Sequence, residues 1–235
     1  MKKYTTIVFL ILLAAALSSC TEEEQIGKVL KKKVSLVAED GVSIAADFYP
    51  EDGDKAIILL HMYKHDKSSW ESFAGDLRNK GYNLLAIDLR GHGESDLDLN
   101  SFTEQDYNNM VLDVSSGFDY LILSGMNQIS VIGASIGANT ALNFAVEELR
   151  VQNVILLSPG LDYRGIKTDE TIKEYKRPLL IIAGTGDAYS WESSNTLFDL
   201  SPSKAKMQPY ETTFHGTDII DNFPESRGVV MEWLG

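Results

Sequence analysis

Gly133-Ala134-Ser135-Ile136-Gly137 sets a serine between two glycines, after a short run of β-formers and before a stretch rich in Ala, Leu and Glu. A serine on such a strand-to-helix turn projects its hydroxyl above a sheet. Side chains at the two flanking positions would collide with the neighbouring strand and helix. The N–H of Ile136, at the start of the following helix, can then point at an oxyanion, helped by the helix dipole. A hydroxyl needs a base to become a nucleophile. Of the four histidines, His61, His65, His92 and His215, only His215 follows Ser135. Asp187 lies between them, after Gly184-Thr185-Gly186. In the order Ser135, Asp187, His215, the histidine takes the serine proton and returns it to a leaving group. The aspartate fixes the imidazole tautomer and stabilises its cation. A tight turn of small residues would account for the pentapeptide alone, but not for an acid and a base following in this order.

Other residues compete for these roles. Asp162 also lies beyond an apolar run and is the rival for the acid, although Gly184 and Gly186 suit the tight turn that Asp187 needs. The second oxyanion donor is expected from the backbone N–H of Met62, in the loop after the first central strand. His61 and His65 stand four apart beside Asp66, a spacing compatible with a metal pair, yet no further ligand cluster accompanies them. His61 is read as a structural loop residue. His92 lies in the glycine-bearing loop Asp88-Leu89-Arg90-Gly91-His92-Gly93-Glu94-Ser95 and precedes the nucleophile, so it is not the base.

In an open α/β sheet, reactive groups gather at the carboxyl ends of strands, so the elements decide whether these residues can meet. Five runs are almost wholly apolar: residues 56–60, 83–87, 129–132, 154–157 and 178–183. Strands apolar on both faces belong in a parallel sheet covered on two sides. Ahead of them, residues 34–38 and 42–49 alternate around Glu39-Asp40-Gly41, an Asp-Gly turn signal that predicts an antiparallel hairpin. Residues 206–210 make a last short strand before His215. Ser68-Ser69-Trp70-Glu71 and Thr103-Glu104-Gln105-Asp106 both have capping-box spacing and mark helix starts. Residues 136–149 and 217–234 read as helical, the latter around a break at Pro224. The alternation predicts an α/β fold: a doubly wound, mostly parallel sheet with helices on both faces and an N-terminal antiparallel hairpin. The one irregular insertion, residues 159–177, is too short for a large cap domain. Met62, Tyr63, that insertion and Tyr189-Ser190-Trp191 are expected to shape a modest, open pocket.

Composition narrows the class further. The 235 residues, 44% hydrophobic and 23% charged, exclude disordered, collagen-like and multi-span membrane chains and fit one globular domain. A net charge of −13 argues against nucleic acid and against docking on anionic lipid. Met1, Lys2 and Lys3, the apolar residues 7–17 and then Leu17-Ser18-Ser19-Cys20 read as an export signal too short for a stable membrane span. The expected division is a signal peptide over 1–19, an acidic and basic tether over 20–32 and a single α/β domain carrying Ser135, Asp187 and His215 over 33–235. Cys20 is the only cysteine, so no intrachain disulfide can form. Leu17-Ser18-Ser19-Cys20 resembles a bacterial lipobox, which implies lipidation of Cys20 and an exported protein anchored to the cell membrane or outer membrane. Glu22, Glu23 and Glu24 fit a solvated linker, and are also similar to a surface-export signal of some bacteria.

"LLHMYKHDKSSW", "AIDLRGHGES", "VIGASIGAN", "AGTGDAY" and "FHGTD" follow one another in order. From about residue 34 to 234 the chain resembles the α/β-hydrolase superfamily, especially its small esterase-like, dienelactone-hydrolase-like and serine-aminopeptidase-like members. The resemblance implies acyl transfer from a small-molecule ester or amide to Ser135, then hydrolysis by water activated through His215, without metal or organic cofactor. Many members carry His-Gly where this chain has His61-Met62; since the donor is backbone, methionine need not harm it. A peptidase or an acyltransferase could use the same triad, because fold and triad do not fix the acyl acceptor. A non-catalytic binding lipoprotein of the same fold is the reading from a different class.

Overall fold

The computed structural model describes residues 31–235. Cys20, the signal segment and the tether up to residue 30 lie outside the described residues. The sheet begins one residue inside the expected tether, at β1 (Lys32–Val37), and Lys31 already pairs with Asp47 at 2.8 Å. β2 (Ser43–Tyr49) completes the antiparallel hairpin, with Val37 opposite Ser43 across the Asp40-Gly41 turn. Then follow β3 (Lys55–Leu60), α1 (Glu71–Asn79), β4 (Asn83–Ile87), α2 (Glu104–Asn108), α3 (Met110–Leu123), β5 (Gln128–Ala134), α4 (Ile136–Glu147) and β6 (Val151–Leu157). After two short strands, β7 (Asp162–Tyr163) and β8 (Ile166–Lys167), come α5 (Thr171–Glu174), β9 (Leu179–Gly184), α6 (Ala188–Leu200), β10 (Ala205–Tyr210), α7 (Thr217–Asn222) and α8 (Pro224–Leu234).

Eight strands form one sheet in the order β1-β2-β4-β3-β5-β6-β9-β10. β2 pairs antiparallel with β1 and β4; every pair from β4 to β10 is parallel. This is the α/β-hydrolase architecture. Every residue of β4 and β9 is buried, as is each residue of β3 after its first, because helices cover both faces. The chain leaves β3 in one direction to make β4 and returns to lay β5 on the other side of β3. That reversal opens a crevice above the carboxyl ends of β3 and β5, the usual ligand position in such sheets. Met62 follows β3, and Ser135 follows β5.

Local chemistry explains where element boundaries depart from expectation. Thr103 and Asp106 form the full capping box, the Thr103 N–H donating to Asp106 Oδ2 at 2.7 Å. Ser68 does not cap α1. The Asp66 carboxylate instead accepts the Ser68 N–H at 2.8 Å and starts a tight 3₁₀ turn, Lys67–Trp70, that runs into α1. A carboxylate at an Asx-type position outcompetes a hydroxyl for the same backbone donors. The insertion over 159–177 is not irregular: β7 and β8 pair as a hairpin, followed by the single turn of α5. Pro224 opens α8 at the first helical position, where its missing N–H costs nothing. Among the described residues no helix is long and apolar enough to cross a membrane.

Candidate active site

Ser135 sits between β5 and α4 at φ 54 and ψ −120, a conformation that L side chains rarely adopt. Its N–H donates to the Leu157 carbonyl at 2.8 Å, tying the turn to β6. The two glycines leave no room for anything larger. A Cβ on Gly133 would lie 2.1 Å from the Gly137 oxygen, and one on Gly137 would lie 2.6 Å from the backbone oxygens of both Leu60 and His61. These obstacles are backbone and cannot swing away. Gly137→Ala is therefore expected to cost about 3 kcal/mol or more of stability by forcing α4 off β3. An unchanged urea midpoint would contradict this packing.

Two further loops bring an acid and a base together. Asp187 caps the turn between β9 and α6, its N–H donating to Gly184 at 3.1 Å while the Gly186 N–H donates to Thr212 at 2.9 Å. Gly184 is required because a Cβ there would stand 2.6 Å from the Thr212 oxygen. The loop after β10 thus lies flat on the Asp187 turn, and His215 Nδ1 donates to Asp187 Oδ2 at 2.5 Å. Nε2 is left for the cavity that Ser135 also lines. The Gly216 N–H donates to the buried Ser158 Oγ at 2.9 Å, which holds this loop from below. Asp162 is engaged elsewhere: its carboxylate accepts the Gly165 N–H at 2.7 Å and closes the β7–β8 turn.

The amides of Met62 and Ile136 have no protein acceptor among the described residues, and Ile136 opens α4, where helix N–H groups lack internal partners. The Met62 side chain packs so tightly on Gly216 that a Cβ there would sit 2.3 Å from Sδ. The loop after β3 and the loop carrying His215 are therefore interlocked. His61 fixes the Met62 loop: Nδ1–H donates to the Met62 carbonyl at 2.7 Å, and Nε2 accepts the Leu89 N–H at 3.0 Å. Burial, and then the neighbouring His92, lower its pKa to about 4, so the ring is neutral at ordinary pH. With both nitrogens engaged, His61 has no lone pair for a metal. Burial also lowers the pKa of His92, whose ring lies 5.0 Å from that of His61. His65 is exposed and lines the cavity instead.

The cavity is about 460 Å³, with Met62, Tyr63, Ser135, Tyr163, Arg164 and His215 among its lining. Ser190 and Trp191, expected to shape it, do not line it. Tyr189 of that segment acts on the β7–β8 hairpin: its hydroxyl accepts the Asp162 N–H at 2.9 Å and donates to the Asp162 carbonyl at 2.8 Å. Tyr163, not singled out from the sequence, stands edge-on to the His215 ring at 6.2 Å. Burial, with the Asp187 carboxylate nearby, pushes its phenol up, while the Ser135 and Ser190 hydroxyls pull it back, so the O–H stays protonated.

The chain is similar in sequence and in fold to known proteins. Residues 51–169 match the sequence profile of a family described as serine aminopeptidase, S33. A Bacillus subtilis protein named as a 2-succinyl-6-hydroxy-2,4-cyclohexadiene-1-carboxylate synthase is 30% identical over 169 residues, 68% of this chain and 58% of its own length. The chain thus spans less than two thirds of that curated relative. The esterase Pf2001 of Pyrococcus furiosus superposes with a TM-score of 0.77 at 23% identity, over 88% of this chain and 92% of the esterase. Dienelactone hydrolase of Anabaena variabilis superposes with a TM-score of 0.72 at 17% identity, over 87% of this chain and 96% of its own. At these identities the two structures share the fold.

Proposed function

The chain belongs to the serine aminopeptidase S33 family of α/β-hydrolases, and within that family we propose that it is a serine hydrolase cleaving carboxylic esters through an acyl-enzyme on Ser135. The observation that carries this reading is the 2.5 Å contact of His215 Nδ1 with Asp187, made at the wall of the cavity that Ser135 lines from its strained turn. Strain of this kind persists where the surroundings over-determine it, commonly at reactive groups. Ser135 Oγ attacks the ester carbonyl as His215 Nε2 takes its proton. The oxyanion is received by the Met62 and Ile136 N–H groups. The imidazolium, held by Asp187, returns the proton to the departing alkoxide, and a water deprotonated by His215 then releases the acid.

Short p-nitrophenyl esters are the expected substrates, since the cavity is modest and open. A fluorophosphonate should label the folded protein at Ser135. Folded protein that stays unlabelled would favour a binding module instead. Peptidase and acyltransferase chemistry would use the same three residues, and a panel of acyl esters and aminoacyl amides separates them.

We also infer that Cys20 carries the lipid that anchors the exported protein to a membrane, supported by Leu17-Ser18-Ser19-Cys20 after an apolar run. Intact-mass analysis of protein purified from membranes should find a diacylglyceryl group on Cys20. A mature chain without it overturns the anchor.

A further inference from the structure

Arg164 stands apart from the other five arginines. Arg78 pairs with Glu51, Arg90 with Asp40 and Asp113, Arg150 with Glu148 and Arg227 with Asp76, while Arg177 donates to the Ala145 carbonyl. Among the described residues the Arg164 guanidinium has neither a carboxylate nor a carbonyl partner, in a chain where acids outnumber bases 34 to 21. Its environment is aromatic: it lies 3.8 Å from the Tyr63 ring centroid and 5.5 Å from that of Tyr107. Stacking uses the faces of the planar cation and leaves its N–H edge for a ligand.

The backbone beneath it is held in an unfavourable conformation. Tyr163 pairs with Ile166, so Arg164 and Gly165 form a two-residue hairpin loop with φ 56 and φ 89. Such a loop favours Asn or Gly at its first position; a long side chain there is uncommon. Three contacts keep the hairpin rigid. Asp162 accepts the Gly165 N–H, Asn108 Nδ2 donates to the Gly165 carbonyl at 3.3 Å, and Tyr189 clamps the Asp162 backbone. The loop thus delivers one guanidinium without an acidic partner to the wall of the Ser135 cavity. The only carboxylate lining that cavity, Asp218, belongs to α7 and forms no ion pair with Arg164 among the described residues.

We propose that Arg164 receives a carboxylate carried by the substrate, so that the preferred esters are anionic, foremost half-esters of dicarboxylic acids. This rests on the serine-hydrolase reading of the same site. The planar fork matches a carboxylate with two parallel hydrogen bonds, and the Tyr63 stack fixes the fork before the substrate arrives.

The test compares kcat/KM on charged and neutral esters of matched length. Ethyl hydrogen adipate against ethyl hexanoate places the carboxylate on the acyl side; butyrylglycolate against propyl butyrate places it on the alcohol side. Wild type should prefer at least one charged member, and Arg164→Gln should lower that charged-to-neutral ratio roughly 10- to 100-fold, mostly through KM. Arg164→Lys should recover part of it, because an ammonium keeps the charge without the fork. A ratio unchanged in Arg164→Gln overturns the assignment. Calorimetry on the full-length Ser135→Ala protein with adipic acid monoamide separates this from the hydrolase reading. Binding abolished by adding Arg164→Gln supports the anion site even if the wild type turns over no ester, an outcome that sinks the hydrolase reading. Ester turnover without charge preference, and without Arg164-dependent binding, sinks the anion site and leaves the hydrolase standing.

Discussion

Ser135→Ala should lower ester turnover on the order of 10⁶-fold, as the proposed acyl-enzyme on Ser135 requires, and leave stability within about 1 kcal/mol of wild type. The two halves of this expectation have separate causes. Activity falls because Ser135 is the only serine, threonine or cysteine among the described residues that line the cavity with His215, Met62 and Ile136. Stability holds because alanine occupies the same strained φ 54, ψ −120 turn, and the backbone bond from residue 135 to Leu157 survives. Ser135→Gly sharpens the distinction. Glycine enters this region of backbone space without steric cost, so the variant should be equally inactive yet more stable, by roughly 1 kcal/mol. A gain in urea midpoint with loss of turnover is the signature of a residue kept for chemistry at the expense of stability. Turnover of p-nitrophenyl butyrate by Ser135→Ala at the wild-type rate would end the proposal.

The parts of the site legible in the sequence were those with a local signature. Gly133 and Gly137 are dictated by contacts that recur wherever a strand turns sharply into a helix, so their spacing around Ser135 carries the turn. The buried strands announce themselves because a parallel sheet covered on both faces needs unbroken apolar runs such as residues 179–183. Thr103 and Asp106 interact across three residues, within reach of any local rule. What escaped depends on distance or brevity. Ser68 looked like a cap because nothing in its tetrapeptide shows that Asp66 takes its N–H first. The β7–β8 hairpin has two residues per strand, too few for a period of two to register, and its Arg-Gly loop is not among the favoured dipeptides. Tyr163 and Arg164 therefore stayed hidden inside an apparently irregular insertion. Their approach to His215 and Tyr63 is long-range and follows from no spacing in the chain.

Asp187→Asn should reduce kcat by about 10⁴-fold with little change in fold, since an amide in place of the orienting carboxylate stabilises the wrong imidazole tautomer. In the wild type, Oδ2 accepts from Nδ1–H at 2.5 Å, which leaves the Nε2 lone pair for the proton transfer proposed for Ser135. An asparagine that donates its N–H to Nδ1 places the ring proton on Nε2, where it blocks that transfer. It also removes the charge that stabilises the imidazolium. Asp162→Asn is the matched control on the rival acid. The Asp162 carboxylate serves the Gly165 N–H, a role that an asparagine Oδ1 fills equally well, and its backbone contacts with Tyr189 do not involve the side chain. Turnover of a neutral ester by Asp162→Asn should stay within a few-fold of wild type. If Asp162→Asn lost turnover and Asp187→Asn kept it, the acid would have to reach His215 from the hairpin. That would require β7 to leave the Tyr189 clamp and the Asp187 turn to move off the loop after β10. Measuring both variants on one substrate thus tests the acid assignment and the rigidity of the hairpin that carries Tyr163 and Arg164.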